Sequence, residues 1–120
     1  MSSERKQEDY LHDILEYAGK AERFLAGLAT AEDLGKDERT LLAVIRCLEV
    51  IGEAAKRVSP SLRTKHPEVP WRGMMGMRDK VIHGYFGVDA EVVWRTVRED
   101  FPLLRETMAE LVEWVRDHGA

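Results

Sequence analysis

Apolar side chains recur every three or four residues through most of this 120-residue chain, and that spacing admits helices and little else. Tyr10, Leu11, Ile14, Tyr17, Ala18, Ala21, Phe24, Leu25 and Leu28 predict an amphipathic helix from about Gln7 to Leu28. Thr30 to Lys36 reads as a polar connection, after which Asp37 is the natural N-cap. Leu41, Val44, Ile45, Leu48, Ile51, Ala55 and Val58 predict a second helix from about Glu38 to Val58. Ser59-Pro60 stops it, because proline has no N–H to donate and restricts the residue before it. Pro60 to Pro70 is a basic loop with room for one helical turn. A third helix runs from Pro70 to about His83, with Gly84 as its terminator. Asp89 caps the last segment, where Val93, Val97, Phe101, Leu104, Met108, Leu111 and Val115 form a stripe close to a heptad repeat. Pro102 interrupts that stripe. A proline inside a helix costs about 3 kcal/mol, so a kink or break is expected near Asp100. The expectation is a single all-α domain over residues 1–120. It is an antiparallel up-and-down helical bundle with a kinked or broken C-terminal helix near Pro102.

Composition removes several function classes. No apolar run approaches the roughly 18 residues needed to cross a bilayer, and Met1 to Asp9 is too polar for a signal peptide. Cys47 is the only cysteine, so no internal disulfide can form. It falls in a helical apolar pattern and reads as a buried thiol in a reducing, cytoplasmic protein. Asp9-x-x-His12 and Glu16 have no second Glu-x-x-His to complete a metal centre, so none is expected. No Walker loop, dinucleotide fingerprint or zinc spacing is present. Trp71, Trp94 and Trp114 read as bundle packing. The net charge is −4, yet the stretch from Lys56 to His83 carries +5, leaving −9 over the remainder. Such asymmetry points to an anionic ligand near Lys56, Arg57, Arg63, Lys65 and Arg72. The same cations also suit an ordinary solvated loop.

The chemistry-bearing residues cluster in Met77-Arg78-Asp79-Lys80-Val81-Ile82-His83-Gly84-Tyr85. On a helical wheel Arg78 falls beside Trp71, Met74 and Ile82, all apolar. A guanidinium there needs an anion, because an unpaired buried charge is costly. Glu53 on the second helix is one candidate partner. A bound phosphate is the other, since it matches the planar guanidinium fork. His83 lies about 140° further round, so it cannot share one face of a regular helix with Arg78. Gly73, Gly76 and Lys80 fall on its side. This suggests a cleft, opened by unwinding at Gly84 or formed between two subunits. Histidine is the side chain best suited to moving protons near neutral pH. Asp79 and Lys80 are candidate supporting groups. The same residues also fit a capping histidine and a surface ion pair.

Arg78 to Tyr85, read as R-x-x-x-x-H-x-Y, resembles the signature of the HEPN ribonucleases, in particular the HepT-like toxins. The likeness extends to the opening amphipathic helix, Ile51-Gly52-Glu53-Ala54, Pro70-Trp71-Arg72-Gly73-Met74, and Met77 through Asp89. The resemblance implies a homodimeric helical bundle that cuts RNA without a metal or cofactor, with Arg78 and His83 as the catalytic pair in a cleft shared by two protomers. It also implies that a partner nucleotidyltransferase antitoxin of the MNT type, using ATP and magnesium, adds AMP to Tyr85 and silences the toxin. A catalytically silent module that binds such a nucleotidyltransferase, and a purely structural helical dimer, are the alternatives.

Overall fold

The computed structural model describes residues 6–82 and 87–119. The expectations for His83, Gly84 and Tyr85 fall outside the described residues. Those residues form an all-α bundle: α1 (Gln7–Leu25), α2 (Ala31–Lys36), α3 (Glu38–Arg57), α4 (Pro60–Lys65), α5 (Trp71–Met75), α6 (Met77–Val81), α7 (Ala90–Arg95) and α8 (Phe101–His118). A π-helical turn, Thr96–Asp100, joins α7 to α8. Among the described residues the only extended pairing is an isolated antiparallel bridge between Ile82 and Val88.

The long helices α1, α3 and α8 make the core. Leu11, Ile14, Ala18, Ala21 and Leu25 of α1 meet Val44, Leu48, Ile51 and Ala55 of α3 and the stripe of α8, and all are buried. The seven-residue C-terminal stripe is buried along its whole length, from Val93 to Val115. Cys47 is buried as well, and that burial pushes its thiol above the ordinary value.

Three connections depart from expectation, each for a local reason, and a fourth, after Ser59, forms the helical turn that was allowed for. The first helix ends at Leu25 rather than Leu28, where the chain turns through Leu28 N–H to Leu25 C=O. Thr30 to Lys36 is a short helix rather than a plain connection. The Thr30 hydroxyl accepts from Asp33 N–H at 3.1 Å, and the Asp33 carboxylate accepts from Ala29 N–H at 3.3 Å. The first bond satisfies an amide that a helix start leaves orphaned, and the second ties down the residue before the cap. Leu34 then anchors the turn in the core. Ser59-Pro60 ends one helix and begins the next: the Ser59 hydroxyl accepts from Leu62 N–H at 3.1 Å, with Pro60 at the first helical position. The third expected helix is two helices, α5 and α6, separated at Gly76.

The break expected near Asp100 is the π turn. Pro102 removes a backbone donor and its ring clashes with the preceding turn. The stripe also takes two successive four-residue steps, Val93 to Val97 to Phe101, which in an α-helix drift by about 80°. A widened turn absorbs both demands while keeping all three side chains buried.

Candidate active site

Arg78 owes its position to the break at Gly76. In one unbroken helix it would have followed Trp71 and Met74 onto the apolar face. After the break, Met77 and Val81 take the buried face of α6. The Arg78 side chain is left 59% exposed, which corrects the expectation of an apolar setting.

Its partner also differs from the expected one. Arg78 Nε donates to Oε2 of Glu49 at 3.2 Å. Glu53, one turn further along α3, is exposed and has no bond to Arg78. The register follows from Gly52. A Cβ there would lie 3.0 Å from the Met74 carbonyl oxygen, so α5 can sit tightly against α3 only because Gly52 has none. That contact brings the start of α6 level with Glu49. An exposed pair of this kind contributes about 0–1 kcal/mol, so it matters more for the direction of the guanidinium than for stability.

On the other side of α6, Lys80 reaches Asp100 at 3.9 Å. Here a cleft of about 400 Å³ opens between α5–α6 and the π turn, with Gly73, Met74, Met77, Lys80, Thr96 and Leu104 among its walls. Gly73 and Lys80 line it and Gly76 does not, and it is distinct from the cleft expected at Gly84 or between two subunits. Its far wall is the π turn and α8 of the same chain. The Thr96 hydroxyl is buried without a hydrogen-bond partner among the described residues.

Just beyond α6 the chain is pinned on both sides of residues 83–86. Ile82 pairs with Val88, and Asp89 N–H donates to Val81 C=O at 2.8 Å. The Asp89 carboxylate then caps α7 through Glu91 and Val92 N–H, as expected. Gly87 has φ +82°, a backbone that favours glycine.

The basic residues are distributed over α3, α4 and α5. Arg63 is half-buried and donates to Met75 Sδ at 3.1 Å, tying α4 to the end of α5. Lys56, Arg57, Lys65 and Arg72 are exposed on α3, α4 and α5. Asp79 is exposed as well. Trp71 is a packing residue, its indole N–H donating to His66 C=O at 2.9 Å. Trp94 is half-buried under Arg98, and Trp114 stacks on His118. Among the described residues no three His, Cys, Asp or Glu side chains are grouped to hold a metal ion. Sequence reasoning missed Glu49 and the hydroxyl of Thr96. The signal for Glu49 was its place one turn before Gly52, legible only once the close approach of α5 is known.

Comparison with known proteins identifies the family. The model of the HepT-like ribonuclease family matches residues 14–111, which takes in Glu49, Arg78 and the whole signature. A protein of Thermococcus cleftensis named "Probable ribonuclease HepT" is 48% identical over 107 residues, covering 89% of this chain and 96% of its own. A "Putative RNase" of Methanocaldococcus jannaschii is 41% identical, covering 90% of this chain and 86% of its own. Another, of Caldanaerobacter subterraneus, is 43% identical, covering 68% and 73%. No solved structure matches the chain significantly. With the family model spanning most of the chain, the α-helical bundle and its Arg78 signature belong to the HepT-like ribonuclease family of HEPN domains.

Proposed function

We propose that this ribonuclease cuts RNA internally and without a metal ion, using Arg78 and His83, and that it is the toxin of a HEPN/MNT toxin–antitoxin pair. The observation that carries the reading is an exposed Arg78 on a short helix, inside a family match that spans the entire R-x-x-x-x-H-x-Y signature. The RNA 2′-hydroxyl attacks the adjacent phosphorus and loses its proton. The bond from phosphorus to the 5′-oxygen breaks, and that oxygen takes up a proton. The products are a 2′,3′-cyclic phosphate and a 5′-hydroxyl. His83 carries a proton in this exchange, as imidazole can near neutral pH. Arg78 stabilises the charge that builds on the phosphoryl oxygens. Lys56, Arg57, Lys65 and Arg72, all exposed, supply sequence-independent attraction for the RNA backbone. The working form is a homodimer whose two protomers bring their signatures together in a second cleft, formed between them.

Control runs through Tyr85. An MNT-type nucleotidyltransferase, with ATP and magnesium, joins AMP to the phenolic oxygen; pyrophosphate leaves and the phenol proton is lost. The new phosphodiester brings a negative charge and bulk to the signature, where it competes with an RNA phosphate for Arg78. The test is cleavage of RNA in EDTA by wild type, Arg78→Ala and His83→Ala, with melting curves for each. Both variants should stay folded and lose about 10²–10⁴ in rate. Folded variants that still cut at the wild-type rate would mean the site lies elsewhere. Peptide mass spectrometry after treatment with the nucleotidyltransferase should place AMP on Tyr85; full cleavage by the modified protein would rule out the switch.

A further inference from the structure

We propose that Glu49 is the positioning residue for Arg78, fixing the guanidinium so that its outer edge meets the scissile phosphate; this rests on Arg78 acting in cleavage. A guanidinium presents five N–H donors in a planar fork. The bond to Glu49 Oε2 uses the Nε donor. The two terminal nitrogens have no hydrogen-bond partner among the described residues, which leaves them available as a bidentate edge of the kind that recognises phosphate oxygens.

The two side chains differ in freedom. Glu49 is 29% exposed and stands in the middle of α3, a 20-residue helix packed into the core. Arg78 is 59% exposed on α6, which has only five residues. The carboxylate is therefore the fixed half of the pair and the guanidinium the half that would otherwise swing. A long side chain held in advance loses less entropy when the phosphate arrives and sits closer to the geometry needed as charge develops. The carboxylate also offsets the cation's charge. Its removal should leave ground-state attraction to RNA undiminished while spoiling orientation.

That gives a signature which simple damage to the fold would not give. Glu49→Ala should melt like wild type, keep or lower KM for RNA, and lose about 10- to 100-fold in kcat. Glu49→Gln keeps an acceptor oxygen in place and should recover most of that loss. A wild-type kcat for Glu49→Ala would overturn the proposal, as would a Gln variant as poor as the Ala variant, which would mean that charge rather than the bond is responsible. A rise in KM at unchanged kcat would overturn it too, since Glu49 would then serve binding alone. Should Glu49→Ala lose its fold, the Gln variant decides: retained kcat with raised KM contradicts positioning. Arg78→Ala, measured alongside, separates the two levels. If that variant cuts RNA normally, the assignment of Arg78 fails and Glu49 has nothing to position. If it is inactive while Glu49→Ala is fully active, only the positioning role falls.

Discussion

Replacing Gly52 with alanine tests the contact on which the register of Glu49 and Arg78 depends. A Cβ at Gly52 would stand 3.0 Å from the Met74 carbonyl oxygen, where ordinary contact begins at 3.4 Å. The neighbour is backbone, so α5 as a whole must retreat by about 0.4 Å. Overpacking of this kind costs about 1–3 kcal/mol. Against it stands the gain of about 1 kcal/mol from replacing glycine inside a helix. Gly19, within α1, is the matched control. Its nearest neighbour is Arg23 Nη1 at 3.2 Å, the free end of a flexible side chain that can move aside. Gly19→Ala should keep the helical gain. The two variants should therefore differ by about 1–3 kcal/mol, or about 4–12 °C in Tm for a domain of this size. Thermal melts followed by circular dichroism measure this directly. Since α6 follows α5, Gly52→Ala should also lower RNA cleavage by about tenfold through displacement of Arg78 from Glu49. If Gly52→Ala stabilises the protein as much as Gly19→Ala does, the close approach of α3 to α5 is not as tight as described, and the account of the register fails.

Three further outcomes follow from the packing and electrostatics. Phe101→Ala, at a fully buried position just after the π turn, should cost about 3–5 kcal/mol, read from the shift in a denaturant midpoint; a loss below about 1 kcal/mol would mean the turn does not hold this ring in the core. Burial raises the Cys47 thiol, so its contribution to stability is present below the unfolded thiol value and is lost as pH rises through the folded one. Alkylation of native protein at pH 8 should accordingly run at least roughly tenfold slower than in denaturant, and equal rates would contradict the burial. The hydrogen bonds from Thr40 to Asp37 at the start of α3 hold that carboxyl below its ordinary value. The stability they contribute is present above the unfolded aspartate value and is lost as pH falls through the folded one. Asp37→Ala should flatten the acid limb of the stability curve, and an unchanged limb would discount the cap.

The long helices were legible because burial acts on whole faces. The stripes from Leu11 to Leu25, Val44 to Ala55 and Val93 to Val115 each fix a helix and its inward side without knowledge of neighbours. The break near Asp100 was legible because Pro102 cannot continue an α-helical turn, although the sequence does not say that the turn would widen rather than kink. The short helices were harder. Ala31 to Lys36 depends on the bonds from Asp33 N–H to Thr30 and from Ala29 N–H to Asp33, and a polar six-residue segment carries no apolar period to announce them. The candidate site was legible as a motif but not as geometry. A wheel drawn through Gly76 places Arg78 among apolar residues, because it assumes one continuous helix. The break there turns Arg78 outward. The choice of Glu49 over Glu53 depends on a contact between residues more than 20 apart, which no local pattern encodes.

The most direct test of the account is the chemistry of the cut ends. Purified protein should cleave a labelled RNA oligonucleotide in EDTA and leave a 2′,3′-cyclic phosphate and a 5′-hydroxyl. A single 2′-deoxy substitution at the cleavage position should abolish the cut. Products with 5′-phosphate ends, or cleavage that continues on the 2′-deoxy substrate, would contradict attack by the 2′-hydroxyl and with it the roles given to Arg78 and His83.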